Sequence, residues 1–303
     1  LPHTIFPTFD SLIPKEADPA QLFSGLDLRD AYHSIRYLQF EEWVRTRYKP
    51  GVEEYYYVIT YEEDGKVYRY NCLTFGLCDA PAFYTTVLQS VLTPHKDIAN
   101  NYLDDILIKG SGPSNHIDNV VAVVTTLLDN NLQIKLEKCQ WMGSEIKFLG
   151  CIINGCQIKP DPDKLLEVRT AEVPSKPKQL KTFLGKVAWL GKFMLNRAKA
   201  LRPLYLLAKA KKFDDALKQQ VALLVGQIQV KLADCIALTL PNFNHQFYIF
   251  TDASEYAMGA ILAQFIDKTW VIIDTHSSTF NDAQAAYSIY RKEILAILSS
   301  MIR

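Results

Sequence analysis

The stretch NNYLDDILIKG, residues 100–110, places two adjacent carboxylates, Asp104 and Asp105, inside an otherwise apolar run. Apolar residues on both sides of the pair predict a β-hairpin with the two acids at its tip. Neighbouring carboxylates repel each other, and burial would raise their pKa values unless a cation neutralises them. Mg²⁺ suits such a pair because it takes oxygen ligands and is commonly held by one or two carboxylates together with substrate phosphates.

A third acid stands in the stretch GLDLRDAY, residues 25–32. The pattern predicts a strand over Phe23–Leu28 and a helix from about Asp30, so Asp27 would lie where the strand ends. Carboxylates from two adjacent strand ends could hold two metal ions about 3.5–4 Å apart, which is an arrangement that serves in-line phosphoryl displacement. For the aspartate pair taken alone, a solvated turn remains the alternative interpretation.

Composition excludes several classes of protein. The 303 residues are 49% hydrophobic, which is enough for a packed core and for two to three domains. The sequence contains no apolar run of 18 residues and no charged-then-apolar leader, so neither a membrane span nor secretion is predicted. Its six cysteines form no CxxC pair, which favours reduced thiols in an intracellular protein over a zinc site or a disulfide framework.

Charge is unevenly distributed along the chain. Residues 159–212 contain 14 Lys and Arg against 4 Asp and Glu, a net charge of +10, and the rest of the chain therefore carries −10. A basic segment beside an acidic one indicates a protein that binds a polyanion in one region and metal ions in another. A solvated helical surface is the alternative explanation for the basic segment.

The periodicity of apolar residues predicts an α+β fold. The first half is predicted to contain a short helix at Phe9–Ile13, a hairpin around Asp64–Gly65, helices from Pro81 to before Pro94 and over Ser114–Asn130, and a hairpin turning at Asn154–Gly155. The second half is predicted to contain basic helices over Lys176–Lys212, three strands in QFYIFTDAS (246–254), AMGAILAQF (257–265) and WVIIDTHSS (270–278), and a helix from Asp282 onwards with Ile289, Ile294, Ile297 and Leu298 available for packing.

Five motifs together resemble the reverse transcriptases of retroviruses and gypsy-type LTR retrotransposons. They are FSGLDLRDAYHSI (23–35), LTFGLCDAPAFYTTVLQSVL (73–92), YLDD (102–105), LQIKLEKCQW (132–141) and FLGCII (148–153). The resemblance implies a right-hand polymerase palm with partial fingers over residues 1–158, a basic helical thumb and connection over 159–240, and an incomplete RNase H-like α/β module over 241–303.

The resemblance also implies roles for individual residues of the polymerase site. Asp27, Asp104 and Asp105 match the catalytic, metal-binding carboxylates, and the Leu28 carbonyl lies near a metal. Lys138 matches a lysine proposed to protonate the leaving pyrophosphate. Asp30 and Ala31 fall where backbone amides meet the triphosphate, and Phe75 and Gly76 match a strip that lines the nucleotide pocket. Tyr32 matches the residue that stacks under the incoming sugar and excludes a 2′-hydroxyl, the group that distinguishes RNA from DNA.

Further positions match nucleic-acid contacts and a second metal site. In the run GKVAW, Gly185, Lys186 and Trp189 resemble the thumb helix that lies in the minor groove of a primer-template, while Leu180, Phe183, Leu184 and Val187 form the core stripe of that helix. Lys178, Lys181 and Lys192 would contribute to the charge field, and Tyr102 is assigned to the same nucleic-acid surface. In FTDAS (250–254) and YSIYRKEILAIL (287–298), Asp252 and Glu293 match the first two metal-binding acids of an RNase H domain. The remaining acids would lie after Arg303, so RNA cleavage is not predicted for the sequence as given.

The expected function is RNA-directed and DNA-directed DNA polymerisation with Mg²⁺, or alternatively Mn²⁺, as cofactor. Its partners would be an RNA/DNA or DNA/DNA primer-template, dNTPs and a homo- or heterodimer subunit, without a membrane, in the cytoplasm inside virus-like particles or virions. Two alternatives stay open. One is a non-catalytic nucleic-acid-binding subunit derived from a reverse transcriptase, and the other is a viral RNA polymerase, which the bulky Tyr32 and the RNase H-like tail disfavour.

Overall fold

The computed structural model describes residues 9–47 and 60–302, which belong to two compact units. The first unit comprises residues 1–14 and 18–149, and the second comprises residues 15–17 and 150–303. The predicted domain boundaries at 158 and 240 stay predictions. No helix within the described ranges is both long enough and apolar enough to span a membrane.

The first unit is built around an antiparallel sheet. Its elements are α1 (Phe9–Leu12), β1 (Gln21–Asp27), α2 (Tyr37–Arg47), β2 (Thr60–Glu63), β3 (Lys66–Arg69), α3 (Ala80–Leu92), β4 (Ala99–Tyr102), β5 (Asp105–Ser111), α4 (Pro113–Asp129), β6 (Gln140–Gly143) and β7 (Glu145–Phe148). Four strands form a sheet in the order β4–β5–β1–β6, and β2 and β3 form a separate hairpin. Strand β1 pairs with β5 on one side and with β6 on the other. Because β1 and β5 are antiparallel, the end of β1 lies beside the start of β5.

Apolar residues of this sheet and of helices α3 and α4 form one core. Its most buried members include Leu26, Leu73, Tyr84, Leu88, Ile106, Ile108, Val123 and Leu127. A buried hydrogen bond of 2.8 Å joins Ser24 Oγ on β1 to His116 Nε2 on α4, so a polar contact also fixes the helix against the sheet. The strands that carry the acids are thus anchored along their length.

The second unit combines a helical part with two small sheets. Its elements are β8 (Cys151–Asn154), β9 (Gln157–Pro160), α5 (Pro162–Arg169), α6 (Pro177–Leu190), α7 (Arg197–Leu207), α8 (Asp215–Lys231), β10 (Leu238–Thr239), β11 (Phe247–Ala253), β12 (Ala257–Ile266), β13 (Thr269–Thr279), α9 (Asp282–Ala285) and α10 (Ile289–Ile302). Strands β8, β9 and β10 pair antiparallel, as do β11, β12 and β13.

The helices of the second unit begin at recognisable capping residues. Helix α6 starts with Pro177 in its first turn, and Gln179 Oε1 accepts hydrogen bonds from the backbone amides of Ser175 and Lys176 at 2.9 and 3.1 Å. Helix α8 starts after Asp214, whose carboxylate accepts a 2.8 Å hydrogen bond from the amide of Leu217. The predicted core stripe of α6 is confirmed, since Leu180, Phe183, Leu184 and Val187 are all buried.

Most predicted elements of the first unit are present. The hairpin around Asp64–Gly65 corresponds to β2 and β3, and the part of it that was predicted before Thr60 lies outside the described residues. The helices predicted from Pro81 and Ser114 correspond to α3 and α4. The hairpin that carries the two acids is confirmed as β4 and β5.

The helix predicted from about Asp30 is wrong. Residues 29–34 form turns, and the next helix, α2, begins at Tyr37. Asp30 has a φ of 46°, in the left-handed region that a right-handed helix excludes. The chain therefore turns at Asp30, directly after the end of β1, and does not continue as a helix.

The packing predicted for the last helix is also wrong. The helix is split into α9 and α10, and Ile289, Ile294, Ile297 and Leu298 are exposed. Lys292 is buried instead, and its ammonium donates a 2.9 Å hydrogen bond to the backbone carbonyl of Glu255. Apolar spacing alone could not identify which face of a helix packs when most of its positions are apolar.

Candidate active site and nucleic-acid interface

The β4–β5 hairpin turns through only two residues, Leu103 and Asp104, since Tyr102 pairs directly with Asp105. Leu103 has a φ of 52°, at a turn position that glycine normally occupies. A left-handed conformation costs a residue with a side chain roughly 1–2 kcal/mol. The turn is therefore strained, and it presents two consecutive carboxylates at the edge of the sheet.

The third predicted acid lies directly opposite this turn. Asp27 is the last residue of β1 and is the register partner of Asp105 on β5. Cα atoms of directly opposed residues in an antiparallel pair are about 4.5–5.5 Å apart, and their side chains project from the same face. Asp27 and Asp105 are therefore directly opposed on adjacent strands, and Asp104 lies in the adjoining turn.

Electrostatics at this edge are dominated by the acids themselves. Asp105 is exposed at the turn, yet the protein atoms around its carboxyl group partly desolvate it and raise its pKa. The negative charges of Asp104 and Asp27 raise that pKa further, and the ammonium of Lys138 partly opposes them. Lys138 Nζ lies 3.9 Å from Asp27 Oδ2, so the predicted proton donor contacts the cluster.

The end of β1 is held by the segment that precedes Lys138. Leu28 forms an isolated bridge with Ile134, flanked by hydrogen bonds from Lys135 N to Asp27 O at 2.9 Å and from Arg29 N to Gln133 O at 2.7 Å. Neither bond uses the amide or carbonyl of Leu28 itself. Since successive residues of an extended chain direct these groups to opposite sides, the Leu28 carbonyl faces the side on which β5 lies.

The chemistry of the donor set fits a hard divalent cation. Carboxylates and a backbone carbonyl are the oxygen ligands that Mg²⁺ prefers, and a cation would relieve the repulsion that raises the pKa of Asp105. Within the described residues, no three acidic, His or Cys side chains converge closely enough to form a preassembled metal site. The fit of this site to a divalent cation therefore depends on its oxygen-donor residues and on their placement at the end of β1 and the start of β5.

Three aromatic rings, those of Tyr32, Tyr84 and Phe75, form one series of contacts. Tyr32 stacks on Tyr84 with ring centroids 5.0 Å apart and an interplanar angle of 22°, and it contacts Phe75 at 5.0 Å with an angle of 48°. Burial raises the pKa of Tyr32, and the negative charge of Asp104 raises it further. Phe75 is 70% exposed, so one face of the group is open to a ligand.

The other predicted nucleotide contacts have mixed placements. Gly76 has a φ of 93°, which only glycine adopts without strain, and no atom lies within 4 Å of the position that a Cβ would take. Ala31 is buried in the core, whereas the Asp30 side chain is exposed and ion-pairs with Arg29 at 3.8 Å. The space at Gly76 admits close approach to the backbone.

Sequence reasoning missed Tyr84, which is fully buried and stacked beneath Tyr32. The residue lies in the motif that was quoted for the nucleotide pocket, but its position on α3 indicated only core packing. The signal that could have found it is helical phase, because Tyr84 is one turn after Ala80, where α3 begins beside the pocket strip.

Helix α6 exposes part of the predicted nucleic-acid surface. A Cβ added at Gly185 would meet no atom within 4 Å outside the helix itself, so the helix surface is open there. Lys186 is engaged in a 2.8 Å ion pair with Glu167, and Trp189 is 40% exposed. The Trp189 ring also packs on Gly150, where an added Cβ would lie 3.2 Å from the indole. Lys192 is half-buried, with its ammonium 5.4 Å from the ring centroid of Phe193.

A groove with a volume of about 720 Å³ lies between the start of α6 and the α7–α8 connection, and we call it the lysine groove. Six lysines line it: Lys176, Lys178, Lys181, Lys211, Lys212 and Lys218. None of the described residues that line it is acidic. Two of the lysines, Lys178 and Lys181, were predicted as nucleic-acid contacts, and the others follow only from the fold. Lys218 is ion-paired with Asp215 at 2.8 Å.

The two acids of the predicted RNase H site lie on adjacent elements. Asp252 is on β11, and Glu293 is on α10, which packs against β11. Asp252 lines a cavity of about 170 Å³ together with Asn196 and His276. A metal site assembled from three such side chains does not occur among the described residues of this unit.

The first unit has the fold of a polymerase palm, with the acids at the ends of its central strands, and comparisons with known proteins specify the family. Residues 3–153 match the family of reverse transcriptases, described as RNA-dependent DNA polymerases, and residues 218–303 match the RNase H-like domain found in reverse transcriptase. Together the two matches cover well over half of the chain. The chain therefore belongs to the reverse transcriptase family, in the group formed by retroviruses and LTR retrotransposons.

Relatives with this sequence pattern are retroelement polyproteins. The chain is 30% identical over 296 residues to the retrovirus-related Pol polyprotein from transposon 297 of Drosophila melanogaster, covering 96% of this chain and 26% of that protein. It is 29% identical over 298 residues to the transposon Tf2-3 polyprotein of Schizosaccharomyces pombe, covering 97% of this chain and 21% of that protein. The chain thus spans about a quarter of the length of these relatives.

Solved structures share the fold at low sequence identity. The foamy viral protease-reverse transcriptase dRH in complex with double-stranded DNA is similar with a TM-score of 0.78 and 17% identity, covering all of this chain and 50% of that one. The same viral protein in complex with an RNA/DNA hybrid is similar with a TM-score of 0.71 and 17% identity, covering 96% and 37%. The predicted α+β polymerase fold is therefore confirmed.

Proposed function

We propose that the chain is the RNA-directed and DNA-directed DNA polymerase part of a retroelement Pol polyprotein. The observation that carries the proposal is the direct opposition of Asp27 and Asp105 across β1 and β5, with Asp104 in the adjoining turn. Membership of the reverse transcriptase family supports DNA polymerase activity for this site. The proposal assigns the chemistry to the first unit.

Asp27, Asp104 and Asp105, with the Leu28 carbonyl, would hold divalent cations, either Mg²⁺ or Mn²⁺. When bound, such cations supply charge neutralisation and Lewis acidity at the reacting phosphate. The rigid pairing of β1 with β5 fixes Asp27 and Asp105, so little reorganisation of the backbone is needed when the substrate arrives.

In the proposed reaction the primer 3′-hydroxyl attacks the α-phosphorus of a dNTP. A phosphorus–oxygen bond to the primer forms, the proton of the 3′-hydroxyl passes to solvent water, the bond between the α-phosphorus and the bridging oxygen breaks, and pyrophosphate departs. Lys138, whose ammonium lies 3.9 Å from the Asp27 carboxylate, would give a proton to the departing pyrophosphate. Tyr32 would support the deoxyribose and exclude a 2′-hydroxyl, while the open backbone at Gly76 admits the nucleotide.

The nucleic-acid surface is proposed to include the exposed face of α6 and the lysine groove. Lys178, Lys181, Lys211 and Lys212 would contact phosphates without reading sequence. The foamy viral proteins of similar fold are bound to double-stranded DNA and to an RNA/DNA hybrid, which supports a primer-template as the ligand here. We further propose that the chain acts in cytoplasmic virus-like particles or virions, with a homo- or heterodimer partner.

A primer-extension assay on poly(rA)–oligo(dT) with dTTP and Mg²⁺ tests the function. The parent chain is expected to extend the primer, and Asp104→Asn is expected to lower the rate at least about 1000-fold because charge stabilisation worth several kcal/mol is lost. Duplex binding by the variant, measured by fluorescence anisotropy, should stay within about twofold of the parent, because base-independent binding depends on the lysines.

Asp118→Asn is the matched control, since Asp118 is an exposed acid on α4 outside the site. It should extend primers at the parental rate. A parent chain that binds duplex but adds no nucleotide with either metal would favour the non-catalytic subunit, and incorporation of rNTPs as efficiently as dNTPs would favour an RNA polymerase.

A further inference from the structure

The hydroxyl of Tyr84 is buried without a hydrogen-bond partner. The side chain has no exposed surface, and its oxygen contacts neither a donor nor an acceptor among the described residues. A buried hydroxyl without a partner destabilises the fold, and a phenylalanine of the same shape would avoid that cost. A tyrosine at this position therefore requires an explanation other than packing.

The ring of Tyr84 supports the proposed nucleotide pocket from below. It stacks on Tyr32 at 5.0 Å with an angle of 22°, and Tyr32 in turn contacts the exposed ring of Phe75. Tyr84 is packed in the buried core, so its ring is the most firmly held of these three aromatic rings. Its ring thus limits how far Tyr32 can move.

The electrostatic environment of the Tyr84 phenol includes the proposed catalytic carboxylate Asp104. Burial raises the pKa of Tyr84, and the charges of Asp104 and Tyr32 raise it further. The same Asp104 charge raises the pKa of Tyr32. Asp104 occupies the turn, next to the strained Leu103, where a small change in its side-chain torsions would alter its distance from the phenol.

We propose that Tyr84 is a positioning residue: its ring holds Tyr32 by stacking, and its buried hydroxyl donates a hydrogen bond to the Asp104 carboxylate when substrate occupies the site. The inference rests on the proposed polymerase function. The hydroxyl is unpartnered in the free protein because its acceptor is fixed only in the loaded site. One side chain would thereby couple the support of the sugar to the orientation of an acid.

Two substitutions separate the ring from the hydroxyl. Tyr84→Phe keeps the stack and removes the hydroxyl, and it should lower kcat about tenfold, or ~1.4 kcal/mol, with the KM for dNTP and the rNTP/dNTP incorporation ratio unchanged. Tyr84→Leu removes the stack and should raise the rNTP/dNTP incorporation ratio about tenfold through a mobile Tyr32. Thr85→Val is the matched control, because Thr85 is equally buried but donates its hydroxyl to Pro81 O at 2.8 Å within the helix; its kcat should be parental.

Thermal unfolding supplies a readout that does not depend on turnover. In the metal-free protein, Tyr84→Phe should leave the unfolding midpoint unchanged or raise it, because an unpartnered buried hydroxyl is removed. A midpoint that falls together with kcat would mean a structural hydrogen bond and would overturn the proposal. If the parent extends primers and Tyr84→Phe retains its kcat within twofold, the proposal fails while the polymerase function stands. If the parent is inactive, the polymerase function fails first and the proposal falls with it.

Discussion

Removal of two charges from the lysine groove gives a quantitative test of its role. In the double variant Lys211→Gln/Lys212→Gln, two ammonium groups are lost, while Lys218 with its Asp215 partner is kept. Each phosphate contact contributes about 0.9 to the slope of log K against log salt concentration for duplex DNA. If both lysines contact phosphates, the slope should become shallower by about 1.8. Between 50 and 200 mM salt the variant should then lose roughly 12-fold less affinity than the parent.

The assay is fluorescence anisotropy of a labelled DNA duplex, titrated at several KCl concentrations between about 50 and 200 mM. Lys231→Gln is the control, because Lys231 is exposed at the end of α8, roughly 20 Å along the helix from Lys218. The control should have the parental slope. A slope for the double variant equal to that of the parent, or a shift that Lys231→Gln reproduces, would refute the assignment of the lysine groove to nucleic acid.

Three further outcomes are expected from the site itself. Asp105→Asn should raise the unfolding midpoint of the metal-free protein at pH 7, because a raised pKa in the folded state means that the charge of Asp105 destabilises the fold above the ordinary pKa of the group. The gain should vanish as the pH is lowered to about 3, where the carboxyl group is protonated in both states. A lower midpoint at pH 7 would contradict this expectation. Tyr32→Ala should incorporate rNTPs at least about tenfold better relative to dNTPs in single-nucleotide extension, and an unchanged ratio would exclude Tyr32 as the discriminating residue. Leu103→Gly should stabilise the fold by about 1 kcal/mol in urea unfolding and slow extension by loosening the turn, whereas destabilisation would show that its left-handed backbone is not strained.

Local patterns were sufficient to predict the hairpin and the position of Asp104 and Asp105 at its tip. Asp104 and Asp105 interrupt an apolar alternation, and a two-residue turn is the arrangement that exposes both of them. Asp27 follows an apolar strand whose partner had to be found elsewhere in the chain. The family motifs supplied that pairing, and the register of Asp27 with Asp105 agrees with it.

Other features depended on tertiary contacts that no local pattern contains. The chain around Asp30 has helix-compatible spacing, but the bridge between Leu28 and Ile134 fixes the end of β1 and the chain then turns. Apolar residues cover most of α10, so the burial of Lys292 rather than Ile294 depended on the carbonyl of Glu255 as an acceptor. The lysine groove joins residues that are about 30 positions apart, and helix packing alone brings them together.

Three features at the turn between β4 and β5 and in the adjoining core are unfavourable for folding by themselves. Leu103 adopts a backbone conformation suited to glycine. The negative charge of Asp105 is disfavoured by partial burial and by the neighbouring aspartates. Tyr84 buries a hydroxyl without a hydrogen-bond partner. Each feature lowers the stability of the free protein, and each would be relieved by a cation, a nucleotide or a reoriented carboxylate at the same place. All three lie at or near the turn that carries Asp104, where the proposed reaction takes place. A ligand bound at this turn is therefore expected to stabilise the folded protein.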